Sequence, residues 1–532
     1  MKFRVFFPLV ASLLLAACGE PRLPKLSPEQ ICHTGAYRLT DGRVIDIAPA
    51  EGADLRWRLD DGQTGLLAGA NNWASTRGWT GKADGKTVTF GGCADGRLTF
   101  AAGDGEPVDG RKLTFVSRDV TFKDGEVELF GRLVLPEGDG PVPIVVQVHG
   151  SERDAATVFN YEQRLLPAQG VGVFVYDKRG TGQSTGEYTQ DFDILARDAA
   201  EAVKAARQAA GARAGRIGLE GGSQGGWVAP LAATLTPVDF VIVGYGLADS
   251  PLAENRDEAL QDLEAAGFTD AATRAKALEV IAATETVVVS HFERGYAALD
   301  AVRRKYGKEK WFKAVKGEFT GELLKYPNFA LRIVGPMREV GTPWNYDSVA
   351  VLERLNTPLL WVLAADDTSA PPAVTRERLL KLAAAGKPVT VMQFPATDHG
   401  ILEYETTDKG ERKSTRYAEG YFRSTVDFAR DGKLTPPYGA GVILTPGYEA
   451  AVAAAQQATA TLLTPSLMPG PETPIIDPSP QGPDAPPVPP ARVRRAPPPV
   501  HPVLPPDVNP DPQVQQPDQA PTPSDPSQTD QG

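Results

Sequence analysis

The sequence predicts an α/β protein. A doubly wound, mostly parallel sheet carries a helical cap; a small all-β domain precedes it and a disordered proline-rich tail follows. Three observations predict this. The runs Ile144–Val148, Val171–Val175, Ile217–Leu219, Phe240–Val243, Leu359–Leu363 and Val389–Phe394 are continuously apolar, as strands buried on both faces are. Helical segments lie between several of them, which implies crossover connections. The region before them alternates apolar and polar residues between Asp-Gly turns, and the region after residue 465 holds about half of the 47 prolines.

The elements follow in chain order. Lys2 and Arg4 precede an apolar stretch, Val5 to Ala17, too short to span a bilayer as a permanent helix. Residues 1–17 thus form a signal peptide. It ends in Leu15-Ala16-Ala17-Cys18-Gly19, which resembles the bacterial lipobox, whose cysteine is lipidated. An ordinary secretory signal is the alternative. Gly19, not Asp, after the cysteine predicts the outer membrane, facing the periplasm. Lipid at Cys18 makes the membrane a partner, and 18–29 a tether. Export leaves Cys32 and Cys93, which predicts a disulfide. Closing that loop stabilises by ~4 kcal/mol in the chain-entropy model.

Residues 30–115 form the β domain. Gly35–Leu39, Val44–Ile47, Leu55–Leu59, Thr87–Phe90 and Arg97–Phe100 alternate, and Asp41-Gly42, Asp61-Gly62, Asp84-Gly85 and Asp95-Gly96 separate them. A small antiparallel sheet or barrel is expected. Residues 116–433 form the α/β domain. It opens with a hairpin over Val120–Phe122 and Val127–Pro136. Asp191–Ala212 is helical. Residues 250–345 interrupt the alternation with two helical spans, Glu254–Ala282 and Thr284–Lys316, which form a cap over the sheet edge. Residues 434–532 hold an Ala/Gln-rich helix candidate, Glu449–Leu463, and then the tail, which cannot bury enough apolar surface to fold.

Composition bounds the function. The chain has 532 residues, enough for two or three domains, and a formal net charge of -12, which argues against a nucleic-acid partner. No His, Cys and carboxylate cluster has metal-ligand spacing, so no metal or cofactor is expected.

The chemistry centres on Gly221-Gly222-Ser223-Gln224-Gly225-Gly226, between the strand ending at Glu220 and the helix starting at Trp227. Gly-x-Ser-x-Gly at a strand-to-helix turn leaves the serine hydroxyl exposed at the sheet edge. A glycine-rich turn of no chemical consequence is the alternative. A serine alcohol needs a base, and the base an orienting acid. Of five histidines, His33 lies in the β domain, His291 in the cap and His501 in the tail. His149 and His399 each follow a sheet strand, and the loop after the last strand makes His399 the expected base. The acid belongs after the preceding strand, where Asp366 and Asp367 compete.

These motifs resemble the α/β-hydrolase superfamily, most closely its dienelactone-hydrolase-like and EstD-like esterase branch, over roughly residues 117–430. The order Ser, Asp, His matches. The resemblance places Asp367 at the family's acid position, although Ala364 and Ala370 replace its usual Gly and Val. His149-Gly150-Ser151 matches the family's His-Gly turn. This implies that His149 is structural and that the backbone amides of Ser151 and Gln224 form the oxyanion hole, with Glu152 where a further glycine often stands. Asp177-Lys178-Arg179-Gly180-Thr181-Gly182-Gln183-Ser184 matches a supporting loop. The implied activity is hydrolysis of a small-molecule carboxylic ester through an acyl-enzyme. A serine peptidase of the same fold and a non-catalytic tethered scaffold are the alternatives.

Overall fold

In the computed structural model the described residues are 25–448, except 51, 70–72 and 104. The signal stretch, Cys18, the helix candidate Glu449–Leu463 and the proline-rich tail lie outside them. Among the described residues no helix is long and apolar enough to cross a membrane.

The chain enters at a short helix, Pro28–His33, so ordered structure begins inside the expected tether. Ser27 caps it: the Gln30 amide donates to Ser27 Oγ at 3.1 Å and the Gln30 side chain accepts from the Ser27 amide. Eight strands then form a closed barrel: β1 Gly35–Leu39, β2 Val44–Pro49, β3 Leu55–Leu59, β4 Thr64–Ala68, β5 Trp73–Thr76, β6 Ala83–Phe90, β7 Arg97–Ala102 and β8 Val108–Lys112. Antiparallel pairing of β1 with β8 closes it. Ile45, Leu55, Trp57, Leu67, Val88 and Phe100 fill the interior.

Three of these strands, β4, β5 and β8, lack the apolar alternation that marks the others. Asp84-Gly85 is not a turn but lies within β6, and the β5–β6 connection passes through Gly78 and Gly81 instead. Cys32 and Cys93 are joined by a disulfide, with their Cα atoms 5.4 Å apart.

The second sheet has nine strands. In chain order these are β9 Val116–Asp124, β10 Val127–Leu135, β11 Val142–Val148, β12 Gly172–Tyr176, β13 Ala214–Gly222, β14 Phe240–Gly244, β15 Leu359–Ala364, β16 Val389–Phe394 and, after a small separate sheet, β20 Val442–Ile443. That separate sheet consists of β17 Thr397–Asp398, β18 Leu402–Thr406 and β19 Arg412–Tyr417. The large sheet runs β20-β16-β15-β14-β13-β11-β12-β10-β9. Its central strands, β11 to β16, are parallel, and β9, β10 and β20 are antiparallel. Because β20 pairs with Met392 and Gln393, the chain beyond residue 433 still completes the sheet.

Helices cover both faces. Phe192–Ala210 packs on one side with Asp191 as its cap, accepting from the Ile194 amide. Tyr421–Asp431 packs on the other. The cap has its own apolar core of Leu263, Val280, Ile281, Leu299, Trp311 and Phe319. Its helices are Pro251–Ala265, Ala271–Val289, Tyr296–Tyr306, Thr320–Lys325 and Asn328–Arg338. The two expected spans are therefore divided elsewhere: Ala282 to Thr284 is helix interior. The breaks fall where Asp270 caps a new helix and where Gly295, at φ +91°, starts another.

Candidate active site

Ser223 follows directly from β13, with a left-handed φ of +54°, rare for a residue with a side chain. Its amide donates to Gly244 O at 3.1 Å. The glycines around it are steric requirements. A Cβ on Gly222 would lie 2.2 Å from the Tyr245 hydroxyl, and one on Gly226 would lie 3.0 Å from Gly246 Cα.

His399 follows β17. Its Nδ1 lies 3.0 Å from Asp367 Oδ2 and 3.1 Å from Oδ1. Asp367 is nearly fully buried, and its Oδ1 also accepts from the amides of Ser369 (3.0 Å) and Ala370 (2.7 Å). These fixed donors hold the carboxylate aimed at the imidazole. The neighbouring Asp366 faces elsewhere and accepts from the Tyr404 hydroxyl at 2.9 Å. The competition between the two aspartates is thereby decided by geometry. Tyr245, at φ +41°, sets its ring edge-on to His399 at 4.9 Å while its hydroxyl abuts Gly222, so one side chain spans from the serine turn to the imidazole.

The other described histidines do not join this group. His149 is buried, with Nδ1 3.4 Å from Glu152 Oε1 and its ring edge-on to Tyr176. His33 stacks on Phe90 in the barrel. His291 is exposed in the cap and pairs with Glu339. His501 lies outside the described residues.

The His149-Gly150-Ser151 turn lies against the serine: a Cβ on Gly150 would sit 3.7 Å from Ser223 Cβ. The Ser151 carbonyl accepts from the Tyr188 hydroxyl at 2.6 Å. Among the described residues the amides of Ser151 and Gln224 donate to no protein acceptor. Gln224 opens the helix Gly225–Leu235, whose N-terminus favours negative charge.

Two side chains within the matched motifs, Lys178 and Glu152, bear on this turn. Lys178 is almost completely buried and donates from Nζ to Gly150 O (2.5 Å) and Glu152 O (3.2 Å). Burial lowers its pKa to about 8, against the opposing pull of Glu152. For Glu152, burial raises the pKa, but His149 and Lys178 outweigh it and bring the carboxyl to about 2. A carboxylate therefore stands against Gly150 of this turn, where a Cβ would meet Glu152 Oε2 at 2.7 Å.

A further support comes from the small sheet. Arg412 Nη1, on β19, donates to Asp366 O (2.5 Å) and Asp398 Oδ2 (2.9 Å). Asp398 Oδ1 accepts from the Thr368 amide at 3.1 Å and the His399 amide at 2.9 Å. One guanidinium thus ties the acid loop to the base loop. On the cap side, Glu254 and Glu258 sit one turn apart on Pro251–Ala265. Burial, then repulsion from Glu318 and Asp367 among others, raises both, Glu258 to about 8.

Strand order, the serine turn and the His–Asp pair after the last parallel strands decide the architecture. The chain has the α/β-hydrolase fold. Residues 124–325 match the family model of the X-Pro dipeptidyl-peptidase (S15 family). No curated protein matches. Among solved structures, the acylaminoacyl peptidase of Pyrococcus horikoshii is 17% identical, over 74% of this chain and 56% of its own, with a TM-score of 0.37. This chain therefore spans a little over half of that protein. An esterase of Pyrococcus furiosus is 15% identical over 54% of this chain and 84% of its own, TM-score 0.35. An α/β hydrolase from Penicillium sp. sh18 is 19% identical over 54% and 91%, TM-score 0.34.

Proposed function

We propose that this α/β hydrolase is a serine hydrolase that cleaves carboxylic esters of small to medium acyl groups, as the dienelactone-hydrolase-like resemblance implies. The observation that carries this is the buried Asp367 carboxylate on His399 Nδ1, with Tyr245 spanning from that imidazole to the Ser223 turn. His399 takes the Ser223 proton as Oγ attacks the ester carbonyl. The amides of Ser151 and Gln224 receive the oxyanion, a contribution of ~3 kcal/mol per donor. Asp367 holds the imidazole and stabilises its charged form. His399 then protonates the leaving alkoxide, and water, activated by the same base, releases the acid.

A peptide amide is the second reading. The match to the S15 family over 124–325 favours it. So do Glu254 and Glu258, cap-side carboxyls raised by burial and by repulsion from Glu318 and Asp367, which would pair with an ammonium group on a substrate. Placement in the cell envelope, with Cys18 lipidated, belongs to the same proposal and is supported by Leu15-Ala16-Ala17-Cys18.

The test is hydrolysis of p-nitrophenyl acetate and butyrate and of X-Pro-p-nitroanilides by wild type and Ser223→Ala. Esterase activity that falls ~10³-fold or more in Ser223→Ala is expected. Preference for the anilides would establish the peptidase. Equal inertness of wild type and variant on every substrate would leave only a binding scaffold.

A further inference from the structure

Two acidic side chains beneath the active site are buried and take no part in the acyl transfer. Glu162 and Glu220 are 8% and 4% exposed. Glu220 lies on β13, three residues before Ser223, and Glu162 opens the short helix Glu162–Leu165. One side-chain nitrogen serves both. Gln147 Nε2, on β11, donates to Glu162 Oε2 and, at 3.1 Å, to Glu220 Oε2. The other Glu220 oxygen accepts from Thr425 Oγ1 at 3.2 Å. Among the described residues neither carboxyl forms an ion pair. Arg58 acts on Glu162 only across space, since its own bond goes to Asp46.

Two ionised carboxylates on one nitrogen would repel each other with little water to screen them. The arrangement closes with one proton between them, as a pair that titrates as a unit. Burial first, and for Glu162 the charge of Glu220 next, raises both carboxyls, Glu220 to about 7. The phenols of Tyr161, Tyr245 and Tyr421 face the same pair, with Tyr417 beside them. Burial, and then neighbours that include Glu162, pushes the first three up, so they stay neutral.

The place of the pair gives it a task. Gln147 and Glu220 are register partners in the parallel pairing of β11 with β13. Each strand ends within two residues, β11 in the turn that carries the Ser151 amide and β13 in the turn that carries the Gln224 amide. The two turns touch: a Cβ on Gly225 would lie 2.8 Å from Val148 O and 3.2 Å from His149 O. The Gln147 bridge thus fixes the strands just beneath both oxyanion donors.

We propose that Gln147, Glu162 and Glu220 are positioning residues for the oxyanion hole, and that one proton shared by the two carboxyls lets the bridge hold β11 and β13 at the spacing the hole requires. The effect on rate rests on the hydrolytic reading; the shared proton does not.

The test uses the full chain as wild type, Glu162→Gln, Glu220→Gln and Glu220→Leu. Infrared titration reads the proton without catalysis. A carboxylic-acid C=O band should persist above neutral pH in the wild-type-minus-variant difference, where Glu254 and Glu258 cancel. In either Gln variant the remaining proton should leave at lower pH than the last proton of wild type, because the like charge is gone. On p-nitrophenyl acetate Glu220→Leu should lower kcat ~10-fold with KM unchanged. Glu220→Gln, whose amide can serve both Gln147 and Thr425, should restore most of that loss. A pair fully ionised at neutral pH, or one whose protons leave independently, would overturn the proposal, and the infrared arm stands even if Glu220→Leu does not fold. So would a loss confined to KM. Wild type inert on every ester and anilide would remove the hydrolytic reading and the positioning role with it, a failure that the infrared titration tells apart from absence of the shared proton.

Discussion

The barrel and the cap are both additions to the α/β sheet, and both have apolar cores of their own, yet they relate to the catalytic loops in opposite ways. The barrel is joined to the hairpin that follows His399. The Tyr417 amide donates to Gly62 O and the Trp79 amide to Ser414 O, both at 2.9 Å. Lys82 and Arg77 reach Glu405. On its other flank Asp46, fully buried, accepts from Arg164 Nε at 2.5 Å and from Arg58 at 3.3 Å, and Arg58 lies over the Tyr161 ring. The cap makes peripheral joints, such as the Gln190 amide to Val340 O at 2.7 Å, and leaves its outermost helix apolar and bare. Buried charge bonds tie one addition into the catalytic support, while the other remains a cover with a free outer face.

The largest expected effect breaks the barrel's joint. Asp46→Ala strands two buried guanidinium groups and should cost ~3–5 kcal/mol. Chemical denaturation followed by circular dichroism measures this. A loss under ~1 kcal/mol would mean that the barrel is only loosely attached.

Next comes the clamp between barrel-borne hairpin and catalytic loops. Arg412→Met should lower kcat ~10- to 100-fold on nitrophenyl esters while KM changes little, because only the alignment of acid and base is lost. The pH–rate profile should shift with it. A change confined to KM would place Arg412 in substrate binding.

A smaller effect concerns the cap. The Glu258 carboxyl is raised to about 8 from 4.5, so between those values the folded state holds a proton that the unfolded chain has released. Stability contributed by this group is therefore present at low pH and lost as pH rises from about 4.5 through 8. Glu258→Gln should flatten the fall in Tm over that window. A parallel Tm-versus-pH curve for both proteins would contradict the assignment.

The smallest effect belongs to the bare outer helix, Asn328–Arg338, where Phe329 and Ile333 are exposed. Phe329→Ser with Ile333→Ser should change stability by no more than ~0.5 kcal/mol per site. A larger loss in calorimetry would show that this face is packed against protein.

Much of the sheet was legible because its central strands are buried on both faces and so read as unbroken apolar runs, as in Ile144–Val148 and Phe240–Val243. The serine turn was legible because its glycines are demanded by close backbone approach. The hairpin β18–β19 was not, since Leu402–Thr406 and Arg412–Tyr417 are largely polar and owe their strand form to pairing with each other and with the barrel. Lys178 lay within a motif that marked its loop, but nothing local distinguishes a buried lysine from a solvated one.

By itself the amino-acid sequence determined the order of the central parallel strands, the position of Ser223, the order Ser, Asp, His and the cysteine pair, because each depends on residues close along the chain or on burial averaged over a strand. Only the tertiary structure decided that Asp367 and not Asp366 meets His399, that Arg412 joins their loops and that Asp46 is buried. Each of those depends on what a distant segment presents. Asp46 sits on a strand whose alternation would send it to water, and it is buried because Arg164, 118 residues away, covers it.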